Sequence, residues 1–347
     1  MTSPRLDIDL GAFAHNVGVL SEIAKPSRTM LAVKANAYGH GMVPLARRAL
    51  ESGADSLAVL DVPAALALRR DGIDAQLFAW LHSPETDFER AIEADVDLGI
   101  SSLWELEAIV AAWHGKPARV HLKIDTGLHR NGARPEDWPA LVSAAMVAAR
   151  DGYLRIEGIW SHLADASPED DAEALTKLLE AVETARDLGC TPPLLHLAAS
   201  SAGIREPEAR LDLVRFGIAA YGISPFDDES GRDLGLRGVM TMRAPLSKTE
   251  GGEGIIALGT ADGVPPNAAG RGEVTVRGRR HRVVSVDIDR LAFELGESAA
   301  EAGDDVIVFG PGDDGEATAE EWARWCETIG DEIVARAGER LPRFYRD

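Results

Sequence analysis

The sequence predicts an α/β chain, a (β/α)8 TIM-type barrel with a C-terminal β domain, and three observations carry that prediction. Short apolar runs alternate with amphipathic stretches at helical spacing as far as residue 220. Eight such runs occur, with a helical pattern after most of them. After Pro225 the texture changes to short β-like runs separated by Gly-rich turns. An open doubly wound sheet is the rival for the first part.

In order, the strands are expected at Met30–Val33, Ser56–Val59, Gln76–Ala79, Asp97–Ile100, Arg119–Ile124, Leu154–Trp160, Leu194–Leu197 and Leu211–Val214. Helical patterns lie between them at Val43–Ser52, Pro63–Arg70, Leu103–Trp113, Trp138–Arg150 and Ala172–Leu188. The second part offers GVMTMRAPL, GEGIIALG, GEVTVRG, HRVVSVDIDRLAFEL and DDVIVFG as strands. Thr318 and Glu321 form the T-x-x-E pattern of a helix start.

The chain has 347 residues, 45% of them hydrophobic and 27% charged, which is enough apolar material for a barrel plus an appendage. No run of about 18 apolar residues could span a membrane. MTSPRLDIDL has no basic stretch leading into an apolar core, so no secretion signal is expected. Two cysteines, Cys190 and Cys326, make no disulfide framework, and a cytoplasmic setting is expected. Neither has metal-ligand spacing to other Cys or His, so no metal is expected. The net charge of −21 argues against nucleic acid and anionic membranes as partners; it gives solubility and says little about function.

The chemistry is concentrated in LAVKANAYGHG, residues 31–41. Lys34 ends the first apolar strand, and in a barrel that end carries the active site. A partly apolar mouth disfavours the ammonium form and frees the amine for a Schiff base. A surface lysine just past a strand is the commoner reading of any one lysine. The close company of Tyr38, Gly39, His40 and Gly41 sets this one apart.

This run resembles the pyridoxal-lysine motif of bacterial alanine racemases. The resemblance implies a barrel over 11–224 that binds pyridoxal 5′-phosphate, and a β-rich domain made of 1–10 with 235–347. It implies that Lys34 forms the Schiff base and acts as one catalytic base, and that Tyr38 bonds the phosphate. HLKIDTGLHRNG, residues 121–132, continues the resemblance. There Arg130 would contact the cofactor hydroxyl and the substrate carboxylate, a task that suits its planar fork. Lys123 matches a lysine often carbamylated in the family, which orients that arginine. GIWSHLADAS, residues 158–167, places His162 in the cofactor site as a catalytic group.

HLAASSAGI, residues 196–204, makes Ser200 a phosphate ligand, with Ala199 where the family has Asn. VRFGIAAYG, residues 214–222, brings Arg215, Gly217 and Ile218. The backbone N–H groups of Gly217 and Ile218 would meet the phosphate, at the strand ends where barrels bind phosphate. Arg215 would face the pyridine nitrogen and, as a poor proton donor, leave it unprotonated. VDIDRL, residues 286–291, puts Ile288 where a backbone N–H binds the substrate carboxylate. The family works as a homodimer, and one is expected here.

One family feature is missing. A stretch like G-x-x-V-S-Y-G-x-T carries a tyrosine that serves as the second base in the partner's site. Here GGEGIIALGTADGVP runs straight from the G-E-G turn into the next strand, and the only tyrosines are Tyr38, Tyr153, Tyr221 and Tyr345. Thr260 and Asp331 also stand where the family has tyrosines, and Gly330 replaces an Asn. Racemisation takes a proton from one face of Cα and returns one to the other, so two bases are the simple solution. The expected function is an L-alanine/D-alanine racemase of reduced or altered activity. The alternatives are another pyridoxal phosphate reaction, retro-aldol cleavage or transamination, or a non-catalytic cofactor-binding protein.

Overall fold

The computed structural model describes residues 3–296 and 298–347. The chain forms two compact units: Leu20–Lys34 with Gly53–Gly217, and Met1–Val19 with Ala35–Ser52 and Ile218–Asp347. In chain order the first elements are β1 (Arg5–Asp9), α1 (Leu10–Ala24), β2 (Arg28–Ala32), α2 (Lys34–Tyr38) and α3 (Met42–Glu51). Next come β3 (Ser56–Val59), α4 (Val62–Arg70), β4 (Leu77–Ala79), α5 (Phe88–Glu93), β5 (Val96–Ile100) and α6 (Leu103–Ala111). The alternation continues through β6 (Ala118–Lys123), α7 (Trp138–Arg150), β7 (Leu154–Trp160), α8 (Pro168–Asp187), β8 (Leu194–His196), α9 (Ser200–Arg205) and β9 (Leu213–Phe216).

Strands β2 to β9 form one parallel sheet in the order β8-β7-β6-β5-β4-β3-β2-β9. Asp212 N–H donates to Leu195 O at 3.1 Å and Arg215 N–H to Ala198 O at 3.1 Å, which joins the two ends. The sheet is therefore a barrel and not an open sheet. Its strands are legible because a parallel sheet is covered on both faces: SLAV, LFA and VDLGI are buried at every position. Helix starts follow capping chemistry. Asp61 accepts from Ala64 N–H ahead of α4, and Ser167 from Asp170 N–H ahead of α8. The Ser167 cap starts α8 at Pro168, earlier than the apolar spacing predicts. Leu211, expected to open the last strand, takes φ +50 and cannot extend, so β9 begins at Leu213 and holds Arg215 within it.

The remaining elements are β10 (Met240–Glu250), β11 (Glu253–Ile256), β12 (Glu273–Val276), β13 (Arg279–Val286), β14 (Leu291–Glu294), β15 (Asp305–Phe309), α10 (Ala319–Cys326), α11 (Gly330–Ala335) and β16 (Arg343–Arg346). Pairings run β10-β11-β14-β13-β12-β15 and return to β10, so these six strands close on themselves. β1 joins antiparallel to β10, and β16 lies parallel to β1. HRVVSVDIDRLAFEL, expected as one strand, is two: a turn with Asp287 N–H on Arg290 O at 2.8 Å separates β13 from β14. Thr318 and Glu321 form the predicted capping box of α10. Among the described residues no helix is long and apolar enough to cross a membrane.

Candidate functional site

In the barrel unit, Lys34 directly follows Val33 at the C-terminal end of β2, half-buried. Its charge reaches His162, which follows β7. Burial first, then the charges of Arg215, Arg130, Lys123 and Lys34, hold His162 well below the ordinary histidine range. Four of the expected residues thus lie within electrostatic reach of a fifth, His162. The Nη2 of Arg215 faces His162 Nδ1 at 3.4 Å. An arginine N–H can only donate, so the ring hydrogen of His162 sits on Nε2, and the imidazole offers a donor rather than a base.

Arg215 is the most constrained of these side chains. It is 7% exposed, and burial lowers its pKa to about 9, which leaves it cationic at neutral pH. Nη2 donates to Ser161 O at 2.8 Å and Leu197 O at 2.9 Å, and Nη1 to His196 Nδ1 at 2.8 Å. The guanidinium carbon lies 5.1 Å from the Trp160 ring centroid. Among the described residues no carboxylate pairs with it, and its Nε–H has no partner. A buried cation with unused donors is a place for an electron-pair acceptor.

Lys123, on β6, is 2% exposed, with Nζ 4.5 Å from the Trp160 ring centroid and bonded to Asn131 Oδ1. Burial, then Arg215 and Arg130, lower its pKa to about 7. Arg130 is exposed in the loop after β6 and has no ion pair among the described residues. Ser200 opens α9, where Ala199 supplies no side-chain cap. Its Oγ accepts from Gly217 N–H at 3.0 Å. The Gly217 N–H is thus already engaged, and the Ser200 hydroxyl hydrogen is left to donate to an anion. A primary amine, an unpaired guanidinium and a hydroxyl fit the carbonyl, ring nitrogen and phosphate of pyridoxal phosphate. Among the described residues no group of three or more acidic, His or Cys side chains could hold a metal ion.

The other unit holds Tyr38, Ile218, Ile288, Thr260 and Asp331. Here α2 is not an ordinary helix: Ala35, Asn36, Ala37 and Tyr38 take φ of +50 to +55. That is a left-handed turn of four non-glycine residues, at about 1–2 kcal/mol each. It is held by Gly39 N–H on Ala35 O at 3.0 Å, Gly41 N–H on Asn36 O at 2.9 Å and Met42 N–H on Asn36 Oδ1 at 2.8 Å. A Cβ at Gly39 would strike Val334 O, so this close approach requires glycine. Tyr38 is buried against Tyr221 at 4.9 Å between ring centroids. Burial and then the Asp331 carboxylate push its phenol well above the ordinary tyrosine range. Ile288 is 73% exposed, and its N–H meets no other described group.

Among the described residues no second tyrosine base is found. β10 turns into β11 through Gly251 and Gly252, φ +61 and +86, a two-residue hairpin. β11 then runs unbroken through Gly254–Ile255, where the tyrosine stretch would enter, paired with β10 on one side and β14 on the other. Tyr153 precedes β7, at the end of the barrel strands opposite to Lys34. Sequence reasoning missed Asp97, His121 and His196, three fully buried polar side chains that lead away from Arg215. The available signal was a charged residue inside the apolar strand VDLGI.

The model of the "Alanine racemase, N-terminal domain" matches residues 8–225, and that of the "Alanine racemase, C-terminal domain" matches 245–345. The alanine racemase of Beutenbergia cavernae is 41% identical over 99% of this chain and 98% of its own length. That of Thermobifida fusca is 42% identical over 97% and 96%. The first alignment spans 372 columns against 347 residues, so at least 25 columns (372 less 347) are gaps in this chain. The crystal structure of alanine racemase from a D-cycloserine-producing Streptomyces lavendulae matches with a TM-score of 0.96 at 39% identity, over 100% of this chain and 98% of that one. Alanine racemase from Streptomyces coelicolor A3(2) matches with a TM-score of 0.96 at 40% identity, over 99% and 98%. With both domain models and full-length relatives matched, the chain belongs to the alanine racemase family.

Proposed function

We propose that this chain binds pyridoxal 5′-phosphate through Lys34 and interconverts L- and D-alanine slowly, with an enzymatic base on one face of Cα only. The observation that carries this reading is the buried, cationic Arg215 with unused donors beside His162 and within the field of Lys34. When bound, the cofactor supplies a carbonyl for the amines and an electron-withdrawing ring that makes the Cα–H acidic. Arg215 donates hydrogen bonds without giving up its proton. Ser200 offers a hydroxyl to the phosphate, and Lys34 moves the Cα proton on its own face. For the opposite face no described tyrosine is available, so water is left to return the proton. Ile288, exposed and with an open N–H, supports the homodimer of the resemblance, in which this loop serves a second copy. The acidic surface and buried free thiols suit a cytoplasmic enzyme.

Alanine incubated in D2O tests the reading. One enantiomer is expected to take up deuterium at Cα with retention, faster than chirality is lost by about 10²-fold or more. Lys34→Ala should abolish both, along with the borohydride-sensitive absorbance of the bound cofactor. Exchange and racemisation at equal rates would show that a second base exists.

Lys123 belongs to the same proposal. With a pKa of about 7 much of it is a neutral amine at neutral pH, able to attack CO2 with loss of one proton. The resulting carbamate anion would answer the two cations, Arg215 and Arg130, that lower that pKa. 13C-bicarbonate should give a carbamate carbon signal that Lys123→Met lacks; its absence from the unmodified protein would sink the assignment.

A further inference from the structure

Among the described residues Arg215 has no carboxylate beside it, yet a carboxylate stands at the end of a hydrogen-bond chain that begins on it. Nη1 of Arg215 lies 2.8 Å from His196 Nδ1. His196 Nε2 lies 3.0 Å from His121 Nδ1, and His121 Nε2 lies 3.3 Å from Asp97 Oδ2. Asp97 is fixed in turn by Arg119 Nε on Oδ1 and Gln76 Nε2 on Oδ2, each at 2.5 Å. Asp97, His121 and His196 are 0% exposed. All four members sit on neighbouring or near-neighbouring barrel strands, β5, β6, β8 and β9.

Donor and acceptor logic leaves one assignment. Arginine only donates, so His196 Nδ1 accepts and its hydrogen sits on Nε2. That hydrogen points at His121 Nδ1, so the hydrogen of His121 sits on its Nε2 and points at the carboxylate. Both rings are neutral, and every bond runs in one direction, from guanidinium to carboxylate. A doubly protonated ring would set donor against donor. The directions of the shifts follow from the same contacts: burial and then Arg215 hold His196 far below the histidine range, and Asp97, although burial pushes it up, falls to about 2 through its bonds from His121, Arg119 and Gln76.

The surroundings are shaped to this chain. Trp160 stacks on His196 at 5.5 Å and 6°, and Phe78 packs against His121 at 4.9 Å. A Cβ at residue 158 would collide with His121 Nδ1, the atom that accepts from His196, so Gly158 is required for the contact. Hydrogen bonds aligned in a buried chain polarise one another by about 10–30% per bond.

We infer that Asp97, through His121 and His196, is a remote positioning residue that sets both tautomers and aims the Arg215 cation into the site. The aim of Arg215 at a cofactor ring nitrogen rests on the function proposed above; the link from Asp97 to the tautomers does not.

The test is 15N NMR of the imidazoles in the purified full-length protein, with and without pyridoxal phosphate, alongside kcat, KM and the absorbance of the bound cofactor. Both buried rings are expected as neutral Nε2–H tautomers. Asp97→Asn can present an N–H to His121, so at least one ring should change tautomer. The cofactor band should shift, and kcat should fall by about 10²-fold with little change in KM, the scale of a misaimed group. His121→Gln can accept through its oxygen and donate through its nitrogen, so it should retain more rate and a more native spectrum than His121→Leu. Circular dichroism checks that each variant is folded. Unchanged tautomers in Asp97→Asn would overturn the relay. Changed tautomers with an unaltered cofactor band and kcat would overturn the positioning role. An unmodified protein that binds no cofactor would overturn the reading of the site and the aim of Arg215, while the nitrogen spectra would still decide whether Asp97 sets the tautomers.

Discussion

At the residue scale, burial decides what each cation can do. Lys123 is ordinarily protonated up to 10.5, and in the folded barrel only up to about 7. Between those values the unfolded chain binds a proton that the folded one does not, so stability rises with pH across that window. Below 7 the cost of housing the charge is fully present. In CO2-free buffer, urea unfolding from pH 7 upward should show that rise, and Lys123→Met should flatten it; equal slopes in both proteins would refute the shift. Arg215, lowered only to about 9, is still charged at neutral pH, where Lys123 is losing its proton. The site residues were legible because LAVKANAYGHG, HLKIDTGLHR and VRFG carry unusual side chains in tight groups. His121 and His196 were not, because a single histidine in an apolar strand looks like packing until its partner on another strand is known.

At the element scale, the turn after Lys34 breaks the usual preference of L-residues. Ala35 is exposed at φ +50, so its methyl group crowds the backbone without contributing packing. Ala35→Gly should therefore leave stability unchanged or raise it by up to about 1 kcal/mol, because relief of the crowding offsets the entropy of glycine. The same swap at Ala144, inside right-handed α7, should lower stability by about 1 kcal/mol. Opposite signs in denaturant titrations support the left-handed turn, and matching losses rule it out. Sequence pattern could not reveal this turn, since Ala-Asn-Ala-Tyr contains no glycine. It could reveal the barrel strands, whose apolar runs are bounded by caps and turns. It failed at HRVVSVDIDRLAFEL because the turn there uses Asp and Ile instead of Gly or Pro.

At the scale of the whole molecule, the two kinds of sheet explain why one half was easier to read. A parallel barrel needs a crossover after each strand, which imposes a regular alternation on the sequence. The closed antiparallel sheet needs only short turns, and its long strand β10 serves β1, β15 and β11 in succession, a sharing that no local pattern records. The net charge of −21 shaped neither; it bears on solubility and on which ligands approach. The unbroken β11 has a thermodynamic consequence of its own. L- and D-alanine are mirror images, so in water their equilibrium constant is unity. The ratio of the two values of kcat/KM must equal that constant, whichever groups carry the protons. A site that lost a base from one side therefore cannot favour one enantiomer at equilibrium. On the function proposed above, the shortened hairpin would slow racemisation in both directions by the same factor; any asymmetry in racemisation between the two hands would lie in how kcat and KM divide it, while deuterium exchange with retention can still favour one hand.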